Sequence, residues 1–181
     1  LREQYNPLAK EYSNIIKEKS TFGRKIFYEH LNFPLAGKKI LDAGCGDGTD
    51  LAYYIKNEGE AYGIDSSFEM ISQAKINAPL AETMVGDFSQ LPFQKHFLDI
   101  VTSKHAMQSS AEVESILKEF HRVLKPEGLL LYLSVHPFRQ FMEKKMEGKD
   151  YFKKEIVNSV LFDGAITVSE PTHTFNEYLS P

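Results

Sequence analysis

The chain has 181 residues, 42% of them hydrophobic and 25% charged, with a formal net charge of −4, a composition that suits one domain with its own core and gives no basic surplus for nucleic acid. Cys45 is the only cysteine, which excludes an internal disulfide and points to a reducing, cytoplasmic setting. No apolar run approaches the ~18 residues of a membrane-spanning helix, and no membrane partner is expected.

Asn6 before Pro7 predicts a helix start, with Asn as cap and Pro at the first helical position. Leu8, Tyr12, Ile15, Ile16 and Lys19 follow at helical spacing. A second helical stretch covers 22–31, with Phe22, Ile26 and Phe27 apolar, and Phe33-Pro34 breaks it. Both helices precede the first strand, so residues 1–37 are expected to lie over a ligand mouth as a lid.

Residues 39–43 read as a short buried strand. Gly44, Gly46 and Gly48 then place three residues without Cβ in five positions, which permits a sharp turn and lets backbone N–H groups approach a ligand. Leu51, Ala52, Tyr54 and Ile55 give the next helix an apolar face, closed by Gly59. A second strand over 61–64 ends at Asp65, 21 residues after Gly44. A carboxylate at a spacing of roughly 20 residues is placed to hold ribose hydroxyls. Strand, glycine turn, helix, strand and acid together read as a nucleotide-binding unit. The alternative is a tight turn with a solvated Asp65.

Ser66 and Glu69 are the expected capping box of a helix that buries Met70, Ile71, Ala74 and Ala78 and stops at Pro79. A strand over 82–85 leads into Gly86-Asp87-Phe88, where a hydrogen-bond acceptor adjoins a flat apolar surface. The strand over 98–102 leads into Ser103-Lys104-His105. Ligands of open α/β sheets sit outside the carboxyl ends of strands, which makes His105 an acid/base candidate; a structural histidine is the alternative. Ser109 and Glu112 read as another capping box, before a stripe of Val113, Ile116, Leu117, Phe120 and Leu124. Pro126 and Gly128 mark a turn. The apolar run 129–135 is expected to be a central strand buried on both faces, with His136 at its carboxyl end. A helix over 138–147 should end at Gly148, with Lys144-Lys145 solvated. The stretch 151–170 suggests one or two irregular strands about an Asp163-Gly164 turn, and Thr174 and Glu177 should cap a last helix. The scattered histidines and lone Cys45 predict no metal site. This order of elements gives a single α/β domain with a mainly parallel sheet.

The stretch Ile40-Leu41-Asp42-Ala43-Gly44-Cys45-Gly46-Asp47-Gly48 resembles the first motif of class I S-adenosylmethionine-dependent methyltransferases, in their small-molecule, type 11/25-like branch. The nicotinamide fingerprint would want Gly or Ala where Thr49 stands. The resemblance runs from Tyr5 to Leu179 and is most specific between Ile40 and Val135. It implies a Rossmann-like, doubly wound sheet of order 3-2-1-4-5. It implies S-adenosyl-L-methionine as cofactor, S-adenosyl-L-homocysteine as product and a small-molecule methyl acceptor. The cofactor-binding core would span 38–136 and a substrate-side region 137–181, and the antiparallel strand pair that completes the family's seven-stranded sheet is expected to be missing.

The same resemblance implies roles for single residues. Tyr5 and Tyr12 contact the cofactor, unless they are only core-edge residues of an amphipathic helix. Asp42 supports the loop and the methionine amino group. Gly44, Cys45 and Gly46 pass beneath the methionine and ribose, with Cys45 a small packing residue. Asp65 holds the ribose, with Ser66 and Met70 beside it. Asp87 accepts from the adenine amino group against a wall made by Phe88. The Ser103 carbonyl takes the methionine amino group, and His105 and His136 face the acceptor. Two other readings stay open: a module that holds the cofactor without turnover, and a nicotinamide oxidoreductase.

Overall fold

The computed structural model describes residues 4–19, 21–31, 33–144 and 150–179. Five parallel strands form the main sheet: β1 (Lys39–Ala43), β2 (Glu60–Asp65), β3 (Glu82–Val85), β4 (Leu98–Lys104) and β5 (Leu124–Leu133). Their order is β3-β2-β1-β4-β5, as expected. The chain moves outward from β1 to β3, then returns to the other side of β1. The switch point therefore lies between β1 and β4, where such sheets open a crevice. Helices α1 (Ala9–Lys19) and α2 (Thr21–His30) precede the sheet, and α3 (Thr49–Lys56), α4 (Phe68–Asn77) and α5 (Val113–Val123) flank it.

The core is two apolar layers separated by the sheet. Successive residues of β1 point to opposite faces. Leu41 and Ala43 join a cluster with Ile64, Val101, Phe120 and the rest of the α5 stripe. Ile40 joins the other cluster with Leu51, Tyr54, Ile71 and Phe27. Asp42 shares the face of Ile40, so a carboxyl group is buried where the pattern calls for an apolar side chain; it is 3% exposed. Among the described residues no helix is long and apolar enough to cross a membrane.

Several local expectations are corrected. The helix after Asp65 is capped by Ser67, whose Oγ accepts the Met70 N–H, and not by Ser66. The first turn is a 3₁₀ segment, Asn6–Leu8, with Tyr5 in the cap position and no side-chain cap. The Asn6 Oδ1 instead accepts the Ser67 hydroxyl at 2.7 Å. Ser109 does not cap α5; the Ser110 Oγ accepts the Glu112 N–H just before that helix. β5 is an edge strand with most of its apolar residues half-buried, because no described strand pairs with its outer side. It starts at Leu124, and the expected Pro126–Gly128 turn is a bulge between the pairs Leu98–Leu124 and Ile100–Leu129.

The C-terminal region holds α6 (Pro137–Lys144), an antiparallel pair of β6 (Ile156–Leu161) and β7 (Ile166–Pro171), and α7 (Phe175–Leu179). The expected end of α6 and the Lys144-Lys145 pair lie outside the described residues. An antiparallel pair is thus present, but as a separate two-stranded sheet that does not extend the main one. It is joined by a short 3₁₀ turn with Asp163 at φ 57°, at the Asp163-Gly164 position expected. Glu177 accepts the Thr174 N–H at 3.1 Å and so caps α7. The pair also meets the N-terminal segment. Gln4 donates to the Ser169 carbonyl at 3.0 Å and accepts the Ser169 N–H at 2.8 Å, while the Tyr12 and Phe162 rings meet edge-on at 5.4 Å.

Gly48 leads into α3 at φ +78°, and a Cβ there would lie 2.8 Å from the Ala74 Cα of α4. Gly37, at φ +69°, has open space around it. Gly37→Ala should cost only the left-handed strain, about 1–2 kcal/mol. Gly48→Ala should cost that plus a steric displacement of α4, upward of ~3 kcal/mol in all. Urea denaturation of the two variants checks this, and equal stabilities would refute the packing role of Gly48.

Candidate functional site

The glycine turn connects β1 to α3 and uses its own amides internally. Gly44 N–H and Cys45 N–H both donate to the Ile64 carbonyl, at 2.8 and 3.1 Å. Gly46 N–H donates to Asp65 Oδ2 at 3.0 Å, and Gly48 N–H to the Cys45 carbonyl at 3.0 Å. Asp47 Oδ1 takes the Thr49 N–H. The turn therefore offers a close, flat approach rather than a cradle of donors. A Cβ at Gly44 would fall 2.2 Å from that of Ala106. Two carboxylates, Asp47 and Asp50, already sit at the amino end of α3 and answer its dipole. The amides of Gly44, Cys45, Gly46 and Gly48 are thus spent, and the helix end is already answered by two carboxylates.

A cleft with about 810 Å³ of empty space opens above this turn. Its floor is Gly44 and Gly46. Asp65, Ser66 and Met70 line one side and Gly86, Asp87 and Phe88 another. Lys104, His105 and Ala106 enter from the end of β4, Ser109 and Ser110 from the loop beyond it. Tyr5 and Tyr12 cover the top. The lid is tied to the floor, since the buried Ser13 of α1 donates to Asp47 Oδ2 at 2.7 Å.

Asp65 is clamped, with Gly46 N–H on one oxygen and Ser67 N–H on the other at 2.9 Å. Burial pushes its carboxyl up, against the opposing pull of those backbone donors. Asp87 Oδ1 accepts the Ser89 N–H at 2.8 Å, which fixes its rotamer at the cleft. Tyr5 is pushed up to about 12 by burial, then by Glu170 and Asp65, so its hydroxyl stays protonated.

Beneath the cleft lies a buried ionic cluster. Asp50 accepts Arg24 Nε at 2.8 Å and the Tyr28 hydroxyl at 2.5 Å, and its second oxygen pairs with Lys104 Nζ. Burial alone would raise the Asp50 carboxyl, but Lys104 and Arg24 outweigh it and hold it low. Asp42 lies close by. Burial first and Asp50 second push it up to about 7, against the pull of Lys104. Desolvation by the surrounding protein, then Lys104, lowers the His105 imidazole. The His105 backbone is left-handed at φ 55°, and its N–H is held by the Leu133 carbonyl at 2.7 Å.

Of the residues singled out in the sequence, Tyr5, Tyr12, Gly44, Gly46, Asp65, Ser66, Met70, Asp87, Phe88 and His105 meet in this one cleft. Asp42, Cys45 and Ser103 are buried next to it and do not line it. Ser103 donates its hydroxyl to the Ala43 carbonyl at 2.9 Å, stitching β4 to the end of β1. His136 is elsewhere: exposed at the start of α6, edge-on to Phe175 at 4.8 Å, with Nδ1 accepting the Arg139 N–H. Lys104, Ala106, Ser109 and Ser110 also line the cleft, though none of them was expected as a site residue. For Lys104 the available signal was its place beside His105 at a strand end. A buried network also backs Ser109. His173 bridges Glu177 Oε2 at 2.9 Å and the Gln108 carbonyl at 3.0 Å. Among the described residues no group of three His, Cys, Asp or Glu could hold a metal ion.

The raised carboxyl of Asp42 has a sign. Between its unfolded value of 3.8 and about 7 the folded chain holds a proton that the unfolded chain has lost. Stability should therefore fall as pH rises through that window. Asp42→Asn, which can still accept from Thr102, should show a flatter profile there. Urea titrations at several pH values test this, and parallel profiles would refute it.

The matching family model is that of the methyltransferase domain and covers residues 41–132, just over half of the chain. An uncharacterized methyltransferase of Synechocystis is 34% identical over 102 residues, covering 55% of this chain and 48% of its own. The malonyl-[acyl-carrier protein] O-methyltransferase 1 of Coxiella burnetii is 30% identical over 141 residues, covering 76% and 48%. The chain thus spans about half the length of these curated relatives. An S-adenosylmethionine-dependent methyltransferase from Mesorhizobium loti shares the fold, with a TM-score of 0.68, 18% identity and coverage of 83% and 74%. The chain belongs to the methyltransferase domain family, among the class I S-adenosylmethionine-dependent methyltransferases.

Proposed function

We propose that this chain binds S-adenosylmethionine in the cleft and transfers its methyl group to a small-molecule acceptor by in-line displacement. One observation carries the reading: the glycine turn, Asp65 and Asp87-Phe88, from the ends of three adjacent strands, line a single cleft whose floor keeps no amides for phosphate. That chemistry suits a nucleoside without a phosphate chain and disfavours a nicotinamide dinucleotide.

Bound S-adenosylmethionine supplies a methyl group on a sulfonium, already an activated leaving group. The protein's work is placement and exclusion of water. A carboxylate has about four lone-pair sites. The backbone of Gly46, Ser67 and Ser66 already uses part of that capacity, and Asp65 takes the ribose hydroxyls with what remains. Asp87 accepts from the adenine amino group and Phe88 supports the ring, with Ser66 and Met70 beside the ribose. Gly44 and Gly46 allow the thioether chain to lie against the backbone, with Cys45 as packing below. Asp42 and the Ser103 carbonyl serve the amino group from beneath. Tyr5 and Tyr12 close the site.

His105 stands at the acceptor side. A neutral imidazole there can take a proton from an acceptor hydroxyl as the methyl group arrives; a carboxylate acceptor needs no such base. The acceptor screen begins with carboxylic acids and thioester-linked acids, because one relative is a malonyl-[acyl-carrier protein] O-methyltransferase.

Calorimetric titration with S-adenosylmethionine, S-adenosylhomocysteine and NAD is the direct test. Micromolar binding of the first two and none of NAD is expected, and the reverse would overturn the reading. Asp65→Ala should weaken binding by about 1.5–3 kcal/mol, the range for hydrogen bonds to a charged group. An unchanged dissociation constant would remove Asp65 from the site. With a hydroxyl acceptor in hand, His105→Ala and His105→Gly should both lower turnover, by about 10²-fold, while cofactor affinity holds. Because glycine relieves the left-handed backbone, restored turnover in His105→Gly alone would reduce His105 to a strained scaffold residue.

A further inference from the structure

We infer that Lys104 is the residue that reads the α-carboxylate of the cofactor's amino-acid portion, and that it makes the site discriminate against adenosyl compounds lacking that group. The inference rests on the cofactor reading above.

Four observations support it. Lys104 lines the cleft yet is only 11% exposed at its side chain. Its ammonium has three N–H groups, and among the described residues its one hydrogen-bond acceptor is Asp50 Oδ2. The ammonium also stands 5.9 Å from the Phe27 ring, and its other N–H groups have no acceptor among the described residues. Second, the other sources of positive potential at this end of the cleft are spent. The glycine-turn amides donate internally, and Asp47 and Asp50 occupy the amino end of α3. Third, His105, the other cleft residue able to carry positive charge here, is held toward its neutral form by desolvation and by Lys104 itself. Fourth, Asp50 is shared: its carboxylate faces both Arg24 and Lys104, so the charge of Lys104 is only partly answered by its one acceptor.

The pinning by Asp50 also matters for precision. A free lysine would lose side-chain freedom on binding. Here Asp50, itself fixed by Arg24 and Tyr28, has already ordered it.

The test is calorimetry with two probes that differ only in the carboxylate: S-adenosylhomocysteine and its decarboxylated analogue. The wild type should bind the first at least about tenfold more tightly, as charged hydrogen bonds require. Lys104→Met should bring the two affinities within about twofold of each other. Lys104→Met with Asp50→Asn should do the same without leaving Asp50 short of a partner, which guards against a variant that fails to fold. Lys104→Arg keeps the charge and should keep most of the discrimination. Equal binding of both probes by the wild type, or undiminished discrimination without Lys104, would overturn the assignment while leaving the cofactor reading intact. Failure of the wild type to bind either probe would overturn the cofactor reading and this inference with it.

Discussion

The carboxylate of Asp65 binds two loops at once. One oxygen takes Gly46 N–H from the turn after β1, the other takes Ser67 N–H from the start of α4. The ends of β1 and β2 are thereby held in one arrangement, and Ile64 adds a carbonyl that accepts two further amides of the turn. Everything above follows from this clamp. The turn stays flat because its donors are consumed, and the cleft floor stays open because the turn is flat. The lid can be keyed to it because Ser67 also reaches Asn6, and Asp47 reaches Ser13. Burial of so many polar groups is tolerable because nearly every one has a partner.

The second organising feature is the ionic cluster under the cleft. It draws Arg24 and Tyr28 from α2, Asp50 from α3 and Lys104 from β4 onto one carboxylate. Buried ion pairs give weak stabilisation and strong geometry. Here they fix α2, part of the covering layer, relative to the strand that carries His105. Burial first and Asp50 second raise Asp42, and burial first and Lys104 second lower His105, so lid position and the protonation of the cleft share some of the same charges.

Much of this could be read from the residues. The strand–glycine–helix–acid pattern marked the nucleotide-binding unit because its features are local and periodic, while the sheet order followed from the family resemblance. Ten of the predicted site residues fall in one cleft for the same reason: each lies at a strand end or in the lid. What stayed hidden was relational. Ser66 and Ser67 carry the same hydroxyl, and only the backbone decides which one caps α4. The apolar run of β5 resembles a central strand, but its neighbours decide whether it is one. Lys104 was passed over because Arg24, Asp50 and Tyr28 are far from it in sequence. His136 was placed near the acceptor by its strand end, yet α6 begins there and turns it outward. The spent amides of the turn could not be foreseen, since glycine shows where a backbone can bend but not where its donors go.

The pair of hydrogen bonds between Gln4 and Ser169 joins residues 165 positions apart. Its consequence lies in the order of assembly. On a ribosome the five-stranded sheet is complete once β5 has emerged, and domains form as their segments appear. By then the N-terminal lid can already meet Asp47 and Ser67, but its tie through Gln4 waits for β7. The growing chain therefore passes through a stage with its sheet built and its lid held from one side only, before the last fastening to β7 is made. Closure of that gap belongs to the slow, long-range end of folding, because contacts of such sequence separation cost the most loop entropy.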